Sequence, residues 1–388
     1  MNLQERVLRV LDMAIANEEF AGISVLVRKD DREVLYTASG YADREKETPI
    51  RRDSIFRLYS QTKPITSAAA MLLMERGQLD LMASVEQYLP GFRGQQVLAD
   101  GRLVPVKRPV RIMDLLGMIA GLSYPAEDEV GQMAGRVFEE NQRLMDAGHG
   151  LDTLDFVNRL GQVPLAFHPG EHFRYSTCAD VLGAVVEAVD GRRFSRFLEE
   201  EFFQPLGMKD TAFWVPEEKR ERLVTCYEQR DGHLTPWTGT HLCCGRYDAP
   251  PAFESGGAGL VSTLDDYMAF AQMLLHGGEF QGRRILSEET VRFMTQPQLG
   301  AQPMRDMWDS LEGFGYGKLM RVCVEPGRVN GLARLGEYGW DGWLGTYVAN
   351  FPHENMTLLL MTNRTKCGTA PMTRCVRNAV LSEPGLLG

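Results

Sequence analysis

The stretch Ser54-Ile-Phe-Arg-Leu-Tyr-Ser60-Gln-Thr-Lys63-Pro-Ile-Thr66 leads into a segment with helical character. From residue 61 to 77 the apolar side chains recur at helical spacing, which predicts a helix that ends at Gly77. Ser60 and Lys63 stand three positions apart at its start, so their side chains share one face. A serine hydroxyl needs a base to become a nucleophile, and a lysine serves when burial lowers its pKa.

The Ser60–Lys63 spacing is weak evidence by itself. A Ser-x-x-Lys arises by chance in roughly one chain in three of this kind, and a capping serine followed by a surface lysine is the better explanation of the spacing when it stands alone. Three later segments carry residues suited to the same chemistry. They are residues 169–183 with Tyr175 and Thr177, residues 255–263, and residues 338–346 with Trp340, Asp341, Gly342 and Trp343.

Together the four segments resemble the motifs of serine β-lactamases and penicillin-binding proteins, in the class C-like branch. Ser60-Gln-Thr-Lys63 is similar to the first motif, Ser-x-x-Lys, and Tyr175-Ser-Thr177 to the second, Tyr-x-Asn. Trp340-Asp-Gly342 stands where the third motif, Lys/His-Thr-Gly, begins a strand. The resemblance implies an α/β (α+β) fold of the class C β-lactamase/DD-peptidase type, an antiparallel sheet flanked by helices with an inserted all-helical lobe.

The resemblance also implies roles for these residues. Ser60 would be the nucleophile, while Lys63 and Tyr175 would share its proton and later activate water. The oxyanion hole would consist of the backbone N–H groups of Ser60 and Trp343. Gly342 is expected where a ligand approaches the strand backbone closely. Neither a metal nor a cofactor is expected.

Three positions depart from the pattern of the penicillin-recognising members. Thr177 replaces an asparagine and offers only a short hydroxyl to a substrate amide. Trp340 replaces the cation that holds a substrate carboxylate, and Asp341 beside it would repel such a group. The resulting Trp-x-Gly motif resembles that of family VIII carboxylesterases and related fungal acyltransferases. We therefore expect Thr177, Trp340, Asp341 and Gly342 to contact a small neutral ester or amide, with hydrolysis of short-chain esters ahead of lactam or peptide cleavage.

Further aromatic residues are candidates for the opposite wall of the substrate pocket. They are Tyr124, Trp214 and Trp237, although ordinary core packing explains each of them as well. Arg364 could approach from a neighbouring strand end, and a surface position explains it equally well.

Apolar patterns outside the motifs predict the arrangement of elements. The expected helices span residues 3–15, 110–118, 154–160, 179–188, 194–203, 263–275 and 371–381, and the expected strands span residues 22–28, 32–41, 332–338, 347–351 and 356–362. Strands thus occur at both ends of the sequence around a helical middle. We predict a mixed α/β sheet lobe formed by residues 1–92 and 246–388, a helical lobe formed by residues 93–245, and an active site in the cleft between them.

Composition limits the classes of partner. The chain has 388 residues, of which 44% are hydrophobic and 24% charged, as in soluble globular proteins. Its net charge of −10 and the lack of a basic run argue against nucleic acid as a partner. No membrane-spanning stretch and no secretion signal is visible, so a cytoplasmic location is expected. The sequence does not indicate the oligomeric state.

Other functions fit the same residues. An amidase or D-stereospecific peptidase, or an acyltransferase, would use the same Ser-Lys-Tyr site. A catalytically idle binding or assembly module is the alternative from a different class, and the joint retention of Ser60, Lys63 and Tyr175 argues against it. An α/β-hydrolase would need Gly-x-Ser-x-Gly, which the sequence lacks.

Overall fold

A computed structural model describes residues 1–386 of the chain. The strands are β1 (Gly22–Lys29), β2 (Arg32–Asp43), β3 (Thr48–Pro49), β4 (Phe56–Arg57), β5 (Gln96–Ala99), β6 (Arg102–Pro105), β7 (Tyr227–Arg230), β8 (His233–Pro236), β9 (Val261–Ser262), β10 (Glu279–Phe280), β11 (Arg283–Arg284), β12 (Phe314–Tyr316), β13 (Arg321–Cys323), β14 (Tyr338–Gly339), β15 (Tyr347–Phe351) and β16 (Met356–Thr362). The α-helices are α1 (Leu3–Ala16), α2 (Lys63–Glu75), α3 (Ile112–Leu116), α4 (Glu129–Asp146), α5 (Thr153–Gly161), α6 (Cys178–Asp190), α7 (Phe194–Leu198), α8 (Gln204–Leu206), α9 (Leu264–Leu275), α10 (Glu288–Met294), α11 (Ala301–Arg305) and α12 (Pro371–Leu381).

An eight-stranded antiparallel sheet joins the two ends of the sequence. Its strand order is β12-β13-β14-β15-β16-β1-β2-β3. The central pair, β1 and β16, runs in register from Ile23 opposite Thr362 to Lys29 opposite Met356. The predicted fold class, an antiparallel sheet flanked by helices, is thereby confirmed.

Alternating side chains of β16 bury both faces of the sheet, as the two-residue period of a strand requires. Leu358 and Leu360 pack into a core shared with α1 and α12. Leu359 and Met361 point to the opposite face and join the larger core that contains α2, α6 and α9. The sheet is therefore covered by helices on both faces, and its second face holds the helix that carries Lys63.

Several predicted elements are confirmed and one is wrong. The β1–β2 hairpin forms, and β15, β16 and α12 have the predicted bounds. The strand expected at residues 332–338 is reduced to Tyr338–Gly339. Gly331 and Gly336 adopt positive φ angles, so the backbone there turns instead of extending.

The segment 93–245 is not wholly helical, contrary to the expectation of an all-helical lobe. It contains two hairpins, β5–β6 and β7–β8. Each turns at an Asp-Gly pair with positive φ at both residues, Asp100-Gly101 and Asp231-Gly232, which is the favoured two-residue hairpin turn. The lobe boundaries themselves stay a prediction. Within residues 1–386, no helix combines the length and apolarity needed to cross a bilayer.

Candidate active site

The backbone before Ser60 is held by a short strand pair. Strand β4 pairs with β9, and the N–H of Leu58 donates to the carbonyl of Leu260 at 2.9 Å. The chain then enters a single 3₁₀ turn, Tyr59–Thr62, from which α2 continues. Tyr59 has φ +45°, a left-handed conformation that is strained for a bulky residue and often marks a functional turn. Ser60 follows it directly and lines a cleft.

Lys63 is the first residue of α2 and is completely buried. Its Nζ lies 3.2 Å from the Ser60 Oγ and 2.8 Å from the carbonyl oxygen of Gly257. Burial lowers the pKa of Lys63 from 10.5 to about 8, and the negative charge of Asp180 opposes part of that change. A lysine in this state can take a proton from a neighbouring hydroxyl near neutral pH.

Tyr175 stands on the other side of the Lys63 amine. The Nζ of Lys63 lies 4.6 Å from the centroid of the Tyr175 ring, and the indole N–H of Trp340 donates to the Tyr175 hydroxyl at 3.1 Å. Burial raises the pKa of Tyr175, while hydrogen bonds with Ser60 and Trp340 oppose the rise. The predicted residues Ser60, Lys63, Tyr175 and Trp340 therefore meet in one place.

Tyr124 and Asp180 also belong to this cluster. The Nζ of Lys63 donates to the Tyr124 hydroxyl at 3.2 Å, and that hydroxyl donates to Oδ2 of Asp180 at 3.3 Å. The sequence suggests Tyr124 as a pocket wall or, more simply, as a core residue, and it indicates no role for Asp180. Asp180 follows Tyr175 by five residues and reaches the site because α6 carries it inward.

Gly342 and Trp343 line the same cleft as Ser60. The Gly342 N–H donates to the Thr346 carbonyl, and the Thr346 hydroxyl donates to the carbonyl of Leu58, which ties this turn to the segment before Ser60. A Cβ at Gly342 would lie 2.3 Å from the carbonyl oxygen of Leu58, so the close approach of these two backbone segments by itself demands glycine at this position. Gly342 also lines the cleft, and the expected approach of a ligand to its backbone stays a prediction. Within residues 1–386, neither the Ser60 nor the Trp343 N–H has a hydrogen-bond acceptor.

The cleft at Ser60 has a volume of about 460 Å³. Its described lining consists of Ser60, Tyr175, Trp308, Ser310, Leu311, Trp340, Asp341, Gly342, Trp343, Cys367, Gly368 and Thr369. Among these residues Asp341 is the one charged side chain, with 23% of its surface exposed and Arg321 at 3.5 Å. Burial raises the pKa of Asp341, and the Arg321 charge opposes the rise.

Some predicted contacts do not reach the cleft. Thr177 is the N-cap of α6, only 1% exposed, and is not part of the cleft wall. Trp214 borders a different surface pocket, and Trp237 packs edge-on against Trp343 at 5.2 Å. Arg364 stacks over the Phe20 ring instead of entering the cleft.

Trp308 is a cleft residue that the sequence did not suggest. It is 45% exposed and meets the Tyr175 ring edge-on, with 5.1 Å between the ring centroids. The signal available in the sequence was a tryptophan in a polar stretch, since tryptophan is enriched at binding surfaces. Within the described residues, no group of three or more His, Cys, Asp or Glu side chains is placed to hold a metal ion.

Comparisons with known proteins place the sequence in a family. The sequence profile of the Beta-lactamase family matches residues 8–374. Esterase EstB of Burkholderia gladioli is 32% identical, and the alignment covers 98% of this chain and 96% of EstB.

Solved structures give the same result. The structure of EstCE1, described as a hydrolase with promiscuous acyltransferase activity, superposes with a TM-score of 0.81 at 28% identity, covering 97% of this chain and 98% of that one. Simvastatin synthase (LovD) from Aspergillus terreus superposes with a TM-score of 0.79 at 21% identity, covering 99% and 100% of the two chains, which shows a shared fold. The extent of the sequence match and the two superpositions lead to one conclusion: this chain belongs to the Beta-lactamase family and has the fold of its hydrolases.

Proposed function

We propose that this protein hydrolyses short-chain or small neutral esters through an acyl-enzyme on Ser60. The observation that carries the proposal is the contact between the Ser60 hydroxyl and the buried Lys63 amine, whose pKa burial lowers to about 8. Such an amine is a competent base near neutral pH, which a surface lysine is not.

In the proposed acylation step, the Ser60 oxygen bonds to the ester carbonyl carbon as its proton passes to Lys63. The N–H groups of Ser60 and Trp343 donate to the oxyanion that forms. When the tetrahedral intermediate collapses, the ester C–O bond breaks and the leaving alkoxide takes a proton from the Lys63–Tyr175 pair. Water then attacks the acyl-enzyme, gives its proton to the same pair and releases the acid while Ser60 regains its hydrogen.

The lining of the cleft supports a neutral substrate. Trp308, Trp340 and Trp343 present aromatic surface, which suits apolar acyl or alcohol groups. Among the described lining residues no Lys, Arg or His is present to bind a carboxylate, and Asp341 would repel one. Arg321 is 3% exposed and already faces Asp341. The similarity to EstB, an esterase, points in the same direction.

The test is turnover of p-nitrophenyl butyrate by the wild type, Ser60→Ala and Ser310→Ala. Ser310 is the matched control because it is a second serine of the cleft wall, away from Lys63. We expect Ser60→Ala to lose at least about a thousandfold in kcat, as removal of a nucleophile does, and Ser310→Ala to stay close to the wild type. Equal rates for the wild type and Ser60→Ala would refute the assignment of the nucleophile.

Nitrocefin in the same assay tests the choice of substrate class. We expect it to be turned over poorly relative to the ester, because no cation in the described cleft wall binds its carboxylate. Efficient cephalosporin hydrolysis would show that Trp340 and Asp341 do not decide the substrate class.

Acyl transfer to an alcohol is the second candidate function. It differs from hydrolysis only in whether an alcohol displaces water at the acyl-enzyme, and the EstCE1 structure is described as a hydrolase with that promiscuous activity. Formation of butyl butyrate from p-nitrophenyl butyrate and butanol, measured against butyric acid, separates the two activities.

A further inference from the structure

The amine of Lys63 has three polar neighbours. Its Nζ lies 2.8 Å from the carbonyl oxygen of Gly257 and 3.2 Å from each of the hydroxyls of Ser60 and Tyr124. Because Lys63 is completely buried, these contacts determine where the amine can donate and accept. The carbonyl can only accept a hydrogen bond, whereas either hydroxyl can donate or accept.

Asp180 fixes the direction of the Tyr124 hydroxyl. Oδ2 of Asp180 accepts from Tyr124 at 3.3 Å, while Oδ1 accepts from the Ser255 hydroxyl at 2.5 Å and from the Gly257 N–H at 3.0 Å. Burial raises the pKa of Asp180, and the Lys63 charge together with these donors opposes the rise. The Tyr124 proton is thus directed to Asp180, and its oxygen is left as an acceptor towards Lys63.

We propose that Tyr124 and Asp180 are positioning residues that direct the lone pair of neutral Lys63 at the Ser60 hydroxyl, an inference that rests on the proposed function. A neutral amine has two N–H donors and one lone pair. Gly257 and Tyr124 accept the two N–H groups, so the lone pair faces Ser60 and accepts its proton. The resulting ammonium donates its third N–H back to the Ser60 oxygen, so the proton moves without rotation of the amine.

The substitution Asp180→Asn reverses the hydrogen bond at Tyr124. The Gly257 N–H needs an acceptor, so the new amide oxygen takes the place of Oδ1 and the new NH₂ group faces Tyr124. The Tyr124 oxygen then accepts from that NH₂ group, and its O–H turns to the Lys63 lone pair. The lone pair is then occupied and no longer accepts from Ser60.

A kinetic series with p-nitrophenyl butyrate tests this inference. We expect Asp180→Asn to lower kcat about a hundredfold and Tyr124→Phe about tenfold, both with KM near the wild-type value. The double variant is expected to be about tenfold faster than Asp180→Asn, because without the Tyr124 hydroxyl nothing occupies the lone pair. A merely structural role predicts a double variant no better than the worse single one.

The pH profile gives a second readout. The Asp180 charge raises the pKa of Lys63, so Asp180→Asn should move the acid limb of kcat/KM below the wild-type midpoint of about 8. Ser67→Ala is the control for altering a buried polar group of α2, because Ser67 contacts no hydrogen-bond partner in the described residues. It is expected to retain the wild-type kcat and acid limb.

The outcomes separate the inference from the proposed function. Turnover that does not depend on Ser60 would overturn both. Ser60-dependent turnover with Asp180→Asn at the wild-type kcat, or with a double variant no faster than Asp180→Asn, would overturn the inference alone. If Asp180→Asn melts without a cooperative transition, the kcat of Tyr124→Phe serves as the test. An unchanged kcat in Tyr124→Phe would then overturn the inference.

Discussion

Burial of the Lys63 amine should make the free energy of unfolding depend on pH, and the substitution Lys63→Met should abolish this contribution. In the unfolded chain a lysine titrates near 10.5, whereas burial lowers the pKa of Lys63 to about 8 in the folded protein. Between these two pH values the unfolded state binds more protons, so raising the pH stabilises the fold. The full difference corresponds to about 3 kcal/mol, most of which is gained between pH 7 and pH 10.

Urea unfolding of both proteins at pH 7 and pH 10 measures this gain. The free energy of unfolding of the wild type, relative to that of Lys63→Met, is expected to rise by roughly 2–3 kcal/mol between the two pH values. The substitution leaves the hydrogen-bond partners of Lys63 unpaired at both pH values. Their cost in free energy therefore cancels when the two pH values are compared. Lys209→Met, at an exposed lysine, is the matched control and should keep the wild-type pH dependence. A relative stability that does not change with pH would refute the lowered pKa of Lys63.

Three further predictions follow from the site. The kcat/KM for p-nitrophenyl butyrate should rise with pH through a midpoint of about 8 and then level off, because Lys63 must be neutral to accept a proton; a rate that falls over this range would contradict that role. Gly342→Ala should lower the free energy of unfolding by about 1–3 kcal/mol in urea titrations and reduce kcat, because its Cβ would lie 2.3 Å from the Leu58 oxygen. If Gly342→Ala has the free energy of unfolding of the wild type, the turn at residue 342 can shift enough to relieve the contact with Leu58. Asp341→Asn should improve kcat/KM for p-nitrophenyl hemisuccinate relative to the butyrate ester by about tenfold, since it removes the charge that repels the anion. An unchanged ratio would mean that Asp341 does not select substrates by charge.

Sequence patterns were sufficient where local and tertiary preferences agree. Strands β15 and β16 are continuously buried and largely apolar runs separated by Pro352-His-Glu-Asn355, so burial on both faces and turn chemistry predict the same bounds. Helix α4, which was not predicted, has the opposite character. Its buried face includes Val130, Ala134 and Phe138 at four-residue intervals, but glycines and charged residues between them obscure the period.

The residues of the site also fall into two groups, those that are close in sequence and those that only tertiary packing brings together. Ser60 and Lys63 are neighbours in sequence, and helix geometry alone brings their side chains together. Tyr124 lies 61 residues from Lys63 and 56 from Asp180, so the contacts among these three residues depend on how α2, α6 and the loop that carries Tyr124 pack together. No local pattern encodes that packing. Thr177 shows the converse error, because its motif position suggested a substrate contact, while the start of α6 buries it.

Intact-mass measurement shows whether Ser60 carries the covalent intermediate. Wild type and Ser60→Ala are incubated with an activated fluorophosphonate, and the labelled peptide is then identified by fragmentation. We expect one adduct per wild-type chain, located on Ser60, and none on Ser60→Ala. An unlabelled wild type, or an equally labelled Ser60→Ala, would contradict it.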